Sequence, residues 1–411
     1  MRFLIISDPA RNDFYGYLLP GLQRKGEVFL LWDYAKKYAN VSVDTIPPGV
    51  TILYWNQFST PFQLLKKIKP DRILFFEILD LWQIPLVIAC HHFKITCFFV
   101  DHGVGNKVEV MKERFKENPP LYKKLIFFLK KSLTATKKIL KSQGFFFSAA
   151  KFLDKASCSR YFKLLFYLRF YSPIEALSKL KFRERTPHYA ILFNKNNIEP
   201  FIFYNEIERE NIFTDGVPFF DKYFVQRLEV GSHIVFIEHP YLEESILKWD
   251  SKFHEEIARS LEQFAKKNQL KLVVKLHPRS DINNWLRYNL DSDYIVIKQK
   301  EDITKEIQSA KIILGYSSTL MNVFIQLKKN IVLLGWHPDP MIFGDDLSKT
   351  GLCHVSYSIE DLFTKFSEWQ SVNLAEKNTN LYLDFLYNYN YPLDGKATER
   401  VINAILVNEA P

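Results

Sequence analysis

Two polar clusters, each directly after a short apolar run, are the part of the sequence most suited to binding an anion. Residues 277–279 (HPR) follow the apolar run 270–276, and residues 315–319 (GYSST) follow the run 312–314. Runs of this length are typical of parallel strands buried on both faces, whose ligands bind just past the strand ends. Apolar positions after Thr319 have helical spacing, so Ser317, Ser318 and Thr319 would lie at a helix N-terminus. The N–H groups there favour a phosphate.

Strand-like and helix-like segments alternate along most of the chain, which predicts parallel sheets covered by helices. The predicted strands are 2–6, 28–32, 51–54, 72–76, 95–100, 232–237, 270–276, 294–297, 312–314 and 331–334. The predicted helices are 12–25, 61–68, 81–91, 254–267, 303–309 and 398–407, and 189–193 and 200–203 are each predicted as a strand or loop. No G-x-G-x-x-G motif follows the first strand, so no dinucleotide site is predicted there.

The chain of 411 residues is long enough for two domains of roughly 200 residues each. We predict an N-terminal domain 1–225 with a basic amphipathic insertion at about 119–186, a C-terminal domain 226–390, and a closing helix within 391–411. The predicted fold class is α/β, with two Rossmann-like, doubly wound domains that face a central cleft, an arrangement called GT-B. The donor nucleotide would bind the C-terminal domain and the acceptor the N-terminal one.

All of the excess positive charge lies in residues 121–186. This segment has 16 Lys and Arg against three acidic residues, a net charge of +13, so the rest carries −4 of the total of +9. Lysine pairs recur every seven residues at 123/124, 130/131 and 137/138, with apolar residues between them. This pattern predicts an amphipathic helix, and a lysine stripe beside an apolar face favours a membrane surface as the partner of segment 121–170.

The basic segment has two other possible interpretations. A core helix with a solvated lysine face stays open, because charged faces are common on any amphipathic helix. Nucleic acid is not expected as a partner, because Arg is sparse in the segment and its lysines alternate with aliphatic side chains.

The remaining composition predicts a protein with reduced thiols and no metal site. No apolar run reaches the roughly 18 residues that a membrane span needs, and the N-terminus lacks the features of a signal peptide. Four cysteines are scattered along the chain: Cys90, Cys97, Cys158 and Cys353. Cys97 lies inside an apolar run, which argues against zinc at Cys90-His91-His92 with Cys97. We therefore expect a cytoplasmic protein, peripheral on the inner face of the cytoplasmic membrane.

Four short motifs resemble those of bacterial sialyltransferases, including the lipooligosaccharide and polysialic acid enzymes. Lys275-Leu276-His277-Pro278 is similar to the Lys-x-His-Pro element of that family, Glu301 to its ribose-binding Glu, and Ser317-Ser318 to its Ser-Ser/Thr element. Asp101-His102-Gly103 resembles its acidic pair followed by Gly, with His102 in place of the second acid. The resemblance covers residues 232–335 well and rests on one short motif in the N-terminal domain.

The resemblance implies an inverting, metal-independent glycosyltransferase that moves a sialic acid or related nonulosonic acid from a CMP-activated donor to a cell-surface glycan or glycolipid. It implies Asp101 as the general base and His277 as the general acid or phosphate ligand. Lys275 would meet the cytosine and Glu301 the ribose. The implied nucleotide-binding residues are Lys275, Pro278, Glu301, Gly315, Ser317, Ser318 and Thr319. The resemblance implies no cofactor beyond the CMP-sugar donor, and no metal.

Further residues are predicted to line the same cleft: His102, Gly103, Glu238, His239 and His337. His239-Pro240 and His337-Pro338 end strands, as His277-Pro278 does, and ordinary turns are the alternative interpretation. Asp215, in Thr214-Asp215-Gly216, is the alternative general base.

Three other functions stay open at this point. One keeps the fold and changes the sugar, to a transferase that uses CMP-Kdo. Another is a CDP-glycerol glycerophosphotransferase, whose product is a phosphodiester and not a glycoside. The last is a membrane-binding protein with a degenerate nucleotide site, which the departure at His102 favours, since fold and motif do not guarantee activity.

Overall fold

The computed structural model describes residues 1–7, 12–32, 48–102, 121–171, 176, 179–224, 231–244, 247–299, 301–316, 319–338, 345–389 and 392–410. In the helix that begins at 121, side chains before 140 are described only at 129, 133, 136 and 137. The described chain divides into two compact units. The first unit contains the residues up to Phe219 and those from Lys396 onward, and the second unit is Phe220–Gly395.

The first unit is built on a parallel sheet with the spatial order β3-β2-β1-β4-β5-β6-β7. Its strands are β1 (Arg2–Ile6), β2 (Glu27–Trp32), β3 (Val50–Tyr54), β4 (Arg72–Phe75), β5 (Thr96–Val100), β6 (Tyr189–Leu192) and β7 (Ile212–Thr214). The central strands β1 and β4 are apolar on both faces, and their residues 3–6 and 73–75 are buried. A strand buried on both faces needs helices above and below it, as in doubly wound folds.

The helices of the first unit alternate with these strands. Before residue 220 they are α1 (Asn12–Tyr15), α2 (Leu19–Gln23), α3 (Pro61–Ile68), α4 (Gln83–Phe93), α5 (Leu121–Ala150), α6 (Lys155–Phe170) and α7 (Ile198–Asn205). The start of α3 shows how the sequence sets their bounds. The Thr60 hydroxyl accepts the Gln63 N–H at 3.1 Å, and Pro61 occupies a position where no N–H is needed.

Helices α5 and α6 form a hairpin within the predicted insertion. Phe146 and Tyr161 stack at 3.8 Å between ring centroids, and the Tyr161 hydroxyl donates to the Phe146 carbonyl at 3.1 Å. A Cβ at Gly144 would lie 2.4 Å from the Ser59 carbonyl oxygen, so only glycine allows α5 to approach that loop so closely. Across the described residues, neither this pair nor any other helix combines the length and apolarity needed to cross a membrane.

The second unit is built on another parallel sheet, with the order β10-β9-β8-β11-β12-β13. Its strands are β8 (Ile234–Ile237), β9 (Leu272–Lys275), β10 (Ile295–Lys298), β11 (Ile312–Gly315), β12 (Ile331–Leu334) and β13 (His354–Ser356). Its helices are α8 (Tyr241–Glu244), α9 (Ser251–Asn268), α10 (Ile282–Leu286), α11 (Thr304–Ser309), α12 (Thr319–Gln326), α13 (Asp345–Ser348), α14 (Ile359–Thr364), α15 (Phe366–Ser371), α16 (Leu374–Lys377) and α17 (Thr379–Tyr389). The predicted α/β class with two Rossmann-like sheets is confirmed.

Two predicted elements are wrong, and proline explains both. The predicted helix 12–25 is interrupted between α1 and α2, because Pro20 lacks an N–H and its ring would clash with the carbonyl one turn earlier. The segment 200–203, predicted as a strand or loop, lies in α7. Pro200 falls in the first turn of that helix, where an N–H is not needed.

The C-terminal helix α18 (Ala397–Val407) belongs to the first unit, which it contacts through Arg72 at the start of β4. The Arg72 guanidinium donates to the Ile405 carbonyl at 3.1 Å and to the Leu406 carbonyl at 3.5 Å. These carbonyls belong to the last turn of the helix, which has no intrahelical donors for them. Arg72 is buried, so this contact replaces water at both partners.

We expect Arg72→Leu to lower the free energy of unfolding by about 1–3 kcal/mol, because the buried Ile405 carbonyl and the part-buried Leu406 carbonyl lose a charged donor while the apolar stem is kept. Urea unfolding of the full chain measures the change. Arg183→Leu is the matched control, since Arg183 is an exposed arginine that pairs with the exposed Glu208. The control should change stability by less than about 0.5 kcal/mol. Equal effects of the two substitutions would contradict the assignment.

Candidate functional site

Three His-Pro dipeptides lie together at the carboxyl edge of the second sheet. His239 follows β8, His277 follows β9 and His337 follows β12. Strands β9, β8, β11 and β12 are neighbours in that order, so the loops after them meet at one edge. The ring centroids of His239 and His277 are 5.7 Å apart, with the planes inclined by 18°. The fold therefore brings residues from three distant stretches of sequence into one neighbourhood.

Tyr241, which is buried in α8, contacts aromatic rings in the loops after β8, β11 and β12. It stacks on His239 at 4.4 Å and meets Tyr316 and His337 edge-on at 5.1 and 5.2 Å between ring centroids. The Trp249 indole N–H donates to His337 Nδ1 at 3.3 Å. Burial, followed by the nearby His239, lowers the pKa of His337 to about 4. His337 is thus a neutral imidazole at pH 7, with its proton on Nε2.

His277 occupies a tight turn that fixes its tautomer. The Arg279 backbone N–H donates to His277 Nδ1 at 3.1 Å, and the Ser280 N–H donates to the His277 carbonyl at 3.0 Å. A ring whose Nδ1 accepts an N–H carries its proton on Nε2 in the neutral form. His277 therefore presents Nε2–H as a hydrogen-bond donor. That is the group a departing phosphate requires, because it stabilises charge that develops on the phosphate oxygens.

Glu238, the residue directly after β8, is a buried carboxylate joined to the same turn. Its Oε2 accepts the His277 backbone N–H at 3.0 Å and the Ser280 hydroxyl at 2.6 Å. Burial raises the pKa of Glu238 to about 7, helped by Glu243 and Glu244, while the two hydrogen bonds oppose the rise. Glu238 thus titrates in the physiological range, unlike an ordinary glutamate.

The raised pKa of Glu238 makes the stability of the second unit pH-dependent. The unfolded chain releases this proton near pH 4.5 and the folded chain near pH 7, so stability falls as pH rises between these values. Glu238→Gln removes this loss. The free energy of unfolding of Glu238→Gln, measured relative to that of the unsubstituted protein, should therefore rise by about 3 kcal/mol from pH 4.5 to pH 8. Chemical unfolding across that range measures the difference, with the exposed Glu376→Gln as the control for removing one charge. A pH-independent difference would rule out the assignment.

Lys275 and Glu301, the predicted cytosine and ribose ligands, meet where β9 and β10 end. Lys275 Nζ donates to the carbonyl oxygens of Gln299 and, at 3.3 Å, Glu301. The Glu301 carboxylate accepts the Gln299 N–H at 2.7 Å. Desolvation lowers the pKa of Lys275, and Glu301 partly offsets this. The structure therefore brings the two residues together. Lys275 also helps to shape the loop that carries Glu301, because it binds two carbonyl oxygens of that loop.

The predicted anion loop after β11 is described in part. Gly315 ends β11, and a Cβ there would lie 2.8 Å from Met321 Sδ and 3.1 Å from Ile237 Cβ, so glycine lets β11 pass between α12 and β8. Thr319 is the first residue of α12, as the sequence predicts. Ser317 and Ser318 lie outside the described residues. Pro278 is exposed in the His277 turn.

Asp101, the predicted general base, lies at the carboxyl end of β5 in the first unit and is buried. Its Oδ1 accepts the His102 backbone N–H at 2.9 Å, and its Oδ2 accepts the Asn197 side-chain N–H at 2.8 Å and the Phe193 N–H at 3.3 Å. The predicted cleft residue His102 packs its ring against Phe14 at 4.2 Å. Gly103 lies outside the described residues. Asp101 is therefore firmly oriented by donors from the residue that follows it and from the segment after β6.

Asp215, the alternative base, follows β7 at the same edge of the first sheet. Burial raises the pKa of Asp215, and the charge of Arg400 partly opposes the rise. A carboxylate with a raised pKa accepts a proton more readily at neutral pH. The first sheet thus presents two acids at its carboxyl edge, Asp101 and Asp215, on strands either side of β6.

Sequence reasoning did not predict the roles of Tyr241, Trp249 and Ser280. Tyr241 and Trp249 form the aromatic wall of the site, and Ser280 binds Glu238. Tyr316 was part of the predicted anion cluster but was given no role. Its buried hydroxyl has no hydrogen-bond partner among the described residues. Their positions in the sequence could have identified three of these residues, because Tyr241, Ser280 and Tyr316 each lie within a few residues after a strand end.

Comparison with protein-family models and with curated protein sequences finds no match. Solved structures do match. The chain is similar to a variant of the wall teichoic acid polymerase TagF, with a TM-score of 0.57, 10% identity, and 98% of this chain and 88% of that chain covered. It is also similar to a protein described as a UDP-N-acetylglucosamine 2-epimerase from Listeria monocytogenes, with a TM-score of 0.54, 10% identity, and 98% and 95% covered. The fold is GT-B.

A third GT-B structure, the glycotransferase of kitacinnamycin, matches with a TM-score of 0.50 and 10% identity over 98% of this chain and 99% of that chain. The GT-B prediction from the sequence is thereby confirmed. At these identities the likeness concerns the fold alone, because one fold can carry unrelated chemistries.

Proposed function

We propose that this GT-B chain is an inverting, metal-independent glycosyltransferase. It would move a sialic acid or a related nonulosonic acid from a CMP-activated donor to a cell-surface glycan or glycolipid. The observation that supports this most is the His277 turn at the carboxyl edge of the second sheet, where the Arg279 N–H donates to Nδ1 and the ring proton is therefore on Nε2. Helix α12 begins at the same edge, and its N-terminal N–H groups would bind the other phosphate oxygens.

The reaction requires an acceptor hydroxyl to attack the anomeric carbon while the bond from that carbon to the CMP phosphate oxygen breaks. The departing oxygen gains negative charge, which His277 would stabilise by a hydrogen bond or by giving up its proton. Asp101 would take the proton of the attacking hydroxyl, and Asp215 is the alternative base. With an imidazole and a helix N-terminus at the phosphate, the step does not require a metal.

Within the second unit, Lys275 and Glu301 would orient the nucleoside. Lys275 shapes the loop after β10, and Glu301 offers carboxylate oxygens to ribose hydroxyls, which are good donors to an ionised acid. Pro278, Gly315, Ser317, Ser318 and Thr319 would complete the nucleotide site. Glu238, His239 and His337 would line it, and His102 and Gly103 would lie near the base.

CDP-glycerol transfer is the second candidate, and one observation favours it. The imidazoles of His239 and His337 contact Tyr241, and that of His277 lies 5.7 Å from His239, so the edge holds three imidazoles, more than a single phosphate needs. A diphosphate has more oxygens to satisfy and would suit this arrangement. The resemblance of the motifs to sialyltransferases favours the CMP-sugar, and CMP-Kdo is the sugar variant of the same proposal.

Calorimetric titration with CMP, CDP, UDP and GDP tests the donor class. We expect cytidine nucleotides to bind selectively and His277→Ala to weaken binding about tenfold or more, since a hydrogen bond to a charged group is lost. Ser317→Ala/Ser318→Ala should also weaken binding. His233→Ala is the matched control, because His233 precedes β8 at the opposite edge of the sheet.

Each outcome of this titration has a meaning. Preference for CDP over CMP would favour the glycerophosphotransferase. Preference for uridine or guanosine nucleotides would overturn the proposed donor, and no binding by any of the four would favour the non-catalytic alternative.

We further propose that the α5–α6 hairpin binds an anionic membrane surface and places the protein on the inner face of the cytoplasmic membrane. Two observations support this. Along α5 the side chains of Leu133, Leu140 and Phe147, spaced by seven residues, are 64%, 60% and 51% exposed, so this apolar stripe is outside the core. Phe147 continues it onto α6, where Phe162 lies 5.9 Å away.

The exposed stripe is accompanied by exposed lysines, among them Lys137, Lys141, Lys155 and Lys163. A bilayer with anionic headgroups offers both an apolar layer and a negative surface, with about 1 kcal/mol for each lysine near it. A core helix with a solvated lysine face would instead bury its apolar side, which Leu133 and Leu140 do not do.

Flotation with vesicles of phosphatidylglycerol and phosphatidylcholine tests the membrane proposal. Phe166 of α6 is a further exposed apolar side chain, with 63% of its surface accessible. We expect Leu133→Ser/Leu140→Ser/Phe166→Ser to lower vesicle binding at least about tenfold, because three exposed apolar groups lose their insertion energy. Leu381→Ser/Leu383→Ser, at exposed leucines of α17 in the second unit, is the matched control. Vesicle binding that is unchanged in the triple variant would exclude this surface as the binding site.

A further inference from the structure

The turn that carries His277 is joined at four points to the segment formed by the end of β8 and α8. Acidic side chains of that segment make all four contacts. Glu238 accepts the His277 N–H and the Ser280 hydroxyl, as described above. Two acids of α8 bind the next residues of the turn. Glu243 accepts the Asp281 N–H at 2.9 Å, and the Arg279 guanidinium lies 2.7 Å from Glu244.

Among these acids Glu238 is the one that is buried and that bonds to His277 itself. Leaving a carboxylate in the interior is unfavourable, and an apolar residue of similar size would avoid the cost. What an apolar residue could not supply is an acceptor for two donors of one turn. The two bonds converge on a single oxygen, Oε2, so the position of that oxygen sets where the His277 backbone lies.

We propose that Glu238 is a positioning residue that fixes the His277 turn, so that the ring keeps Nδ1 toward the Arg279 N–H and Nε2–H toward the donor phosphate. The donor phosphate in this inference rests on the proposed function. The position of the His277 ring does not depend on it. Glu238 acts through His277 and has no bond to the substrate of its own.

A second consequence distinguishes this role from that of a structural residue. A carboxylate beside a bound phosphate is repelled by it, so phosphate binding favours the protonated form of Glu238. Burial raises the pKa of Glu238 to about 7, so the proton is available near neutral pH. Affinity for a phosphate ligand should therefore fall as pH rises through 7. The other titratable or charged groups around Glu238 are His239 on its own strand end, Glu243 and Glu244 on α8, His277 and Arg279 on the turn, and Tyr316 after β11.

Comparison of Glu238→Gln with the unsubstituted protein isolates the contribution of Glu238 from that of these neighbours. Glutamine keeps an acceptor oxygen of the same reach and cannot ionise. The titration of the CMP phosphate is common to both proteins and cancels when their affinity ratios are compared.

The experiment uses the full chain with ¹⁵N-labelled histidine and CMP as the probe. Nitrogen–proton spectra give the tautomer of His277, assigned by its loss in His277→Asn, and calorimetry gives CMP affinity at pH 6 and pH 8. We expect Nε2–H for His277 in the unsubstituted protein and in Glu238→Gln. Glu238→Ala and, more weakly, Ser280→Ala should mix the tautomers and lower CMP affinity, by about tenfold for Glu238→Ala. The factor by which CMP affinity falls from pH 6 to pH 8 should be at least about threefold smaller in Glu238→Gln than in the unsubstituted protein.

The outcomes separate this inference from the proposed function. An unchanged tautomer and unchanged CMP affinity in Glu238→Ala would overturn the positioning role. If Glu238→Ala does not fold, the test rests on Ser280→Ala and on the pH comparison in Glu238→Gln. An equal pH dependence of CMP affinity in Glu238→Gln and in the unsubstituted protein would overturn the positioning role. If the unsubstituted protein binds no cytidine nucleotide but the tautomer still changes in the variants, the positioning role stands and the proposed donor falls.

Discussion

A parallel sheet that is covered on both faces can offer polar groups only where its strands end, and the second unit is organised by this constraint. The residues of β8, β11 and β12 are almost completely buried and apolar along their whole length. Their backbone groups are used by the ladder, so nothing within the strands can recognise a polar ligand. The first residues beyond each strand are different: Glu238, Tyr316 and His337 all occupy that position or one close to it. Because four neighbouring strands end at the same edge, Tyr241 and His337, which are about a hundred residues apart in the sequence, come within 5.2 Å between ring centroids.

The electrostatic character of that edge follows from how little water reaches it. Desolvation keeps His337 neutral and raises the pKa of Tyr316 well above its usual value, so both act as dipoles and not as charges. The neutral imidazole of His337 needs no counter-ion, and an arriving anion would not have to displace one. The buried acid Glu238 is the exception, and its pKa of about 7 shows the cost of keeping a charge there. Acids further out, such as Glu244, are paired with Arg279 nearer to solvent.

Much of the fold follows from the sequence, because buried parallel strands have a strong local signal. Predicted strands 2–6 and 331–334 and predicted helix 61–68 match the structure residue by residue. Of the site, the clusters around His277 and Gly315 were predictable because they directly follow such strands. The break at Pro20 and the helix around Pro200 were not, since a proline ends one helix and begins another and only its neighbours decide which. The bonds of Glu238 could not be predicted either. They join residues about forty apart, and only the neighbouring positions of β8 and β9 reveal them.

The position of α18 in the first unit has a consequence for the order of events during synthesis. The described residues of the second unit lie between β7 and α18 in the chain, so a ribosome synthesises them before it synthesises α18. Until then Arg72 has no helix terminus to bind, Tyr189 lacks its Glu409 acceptor and Thr96 lacks the Ala410 N–H. The first sheet therefore reaches its final set of contacts only after the described chain of the second unit has been synthesised.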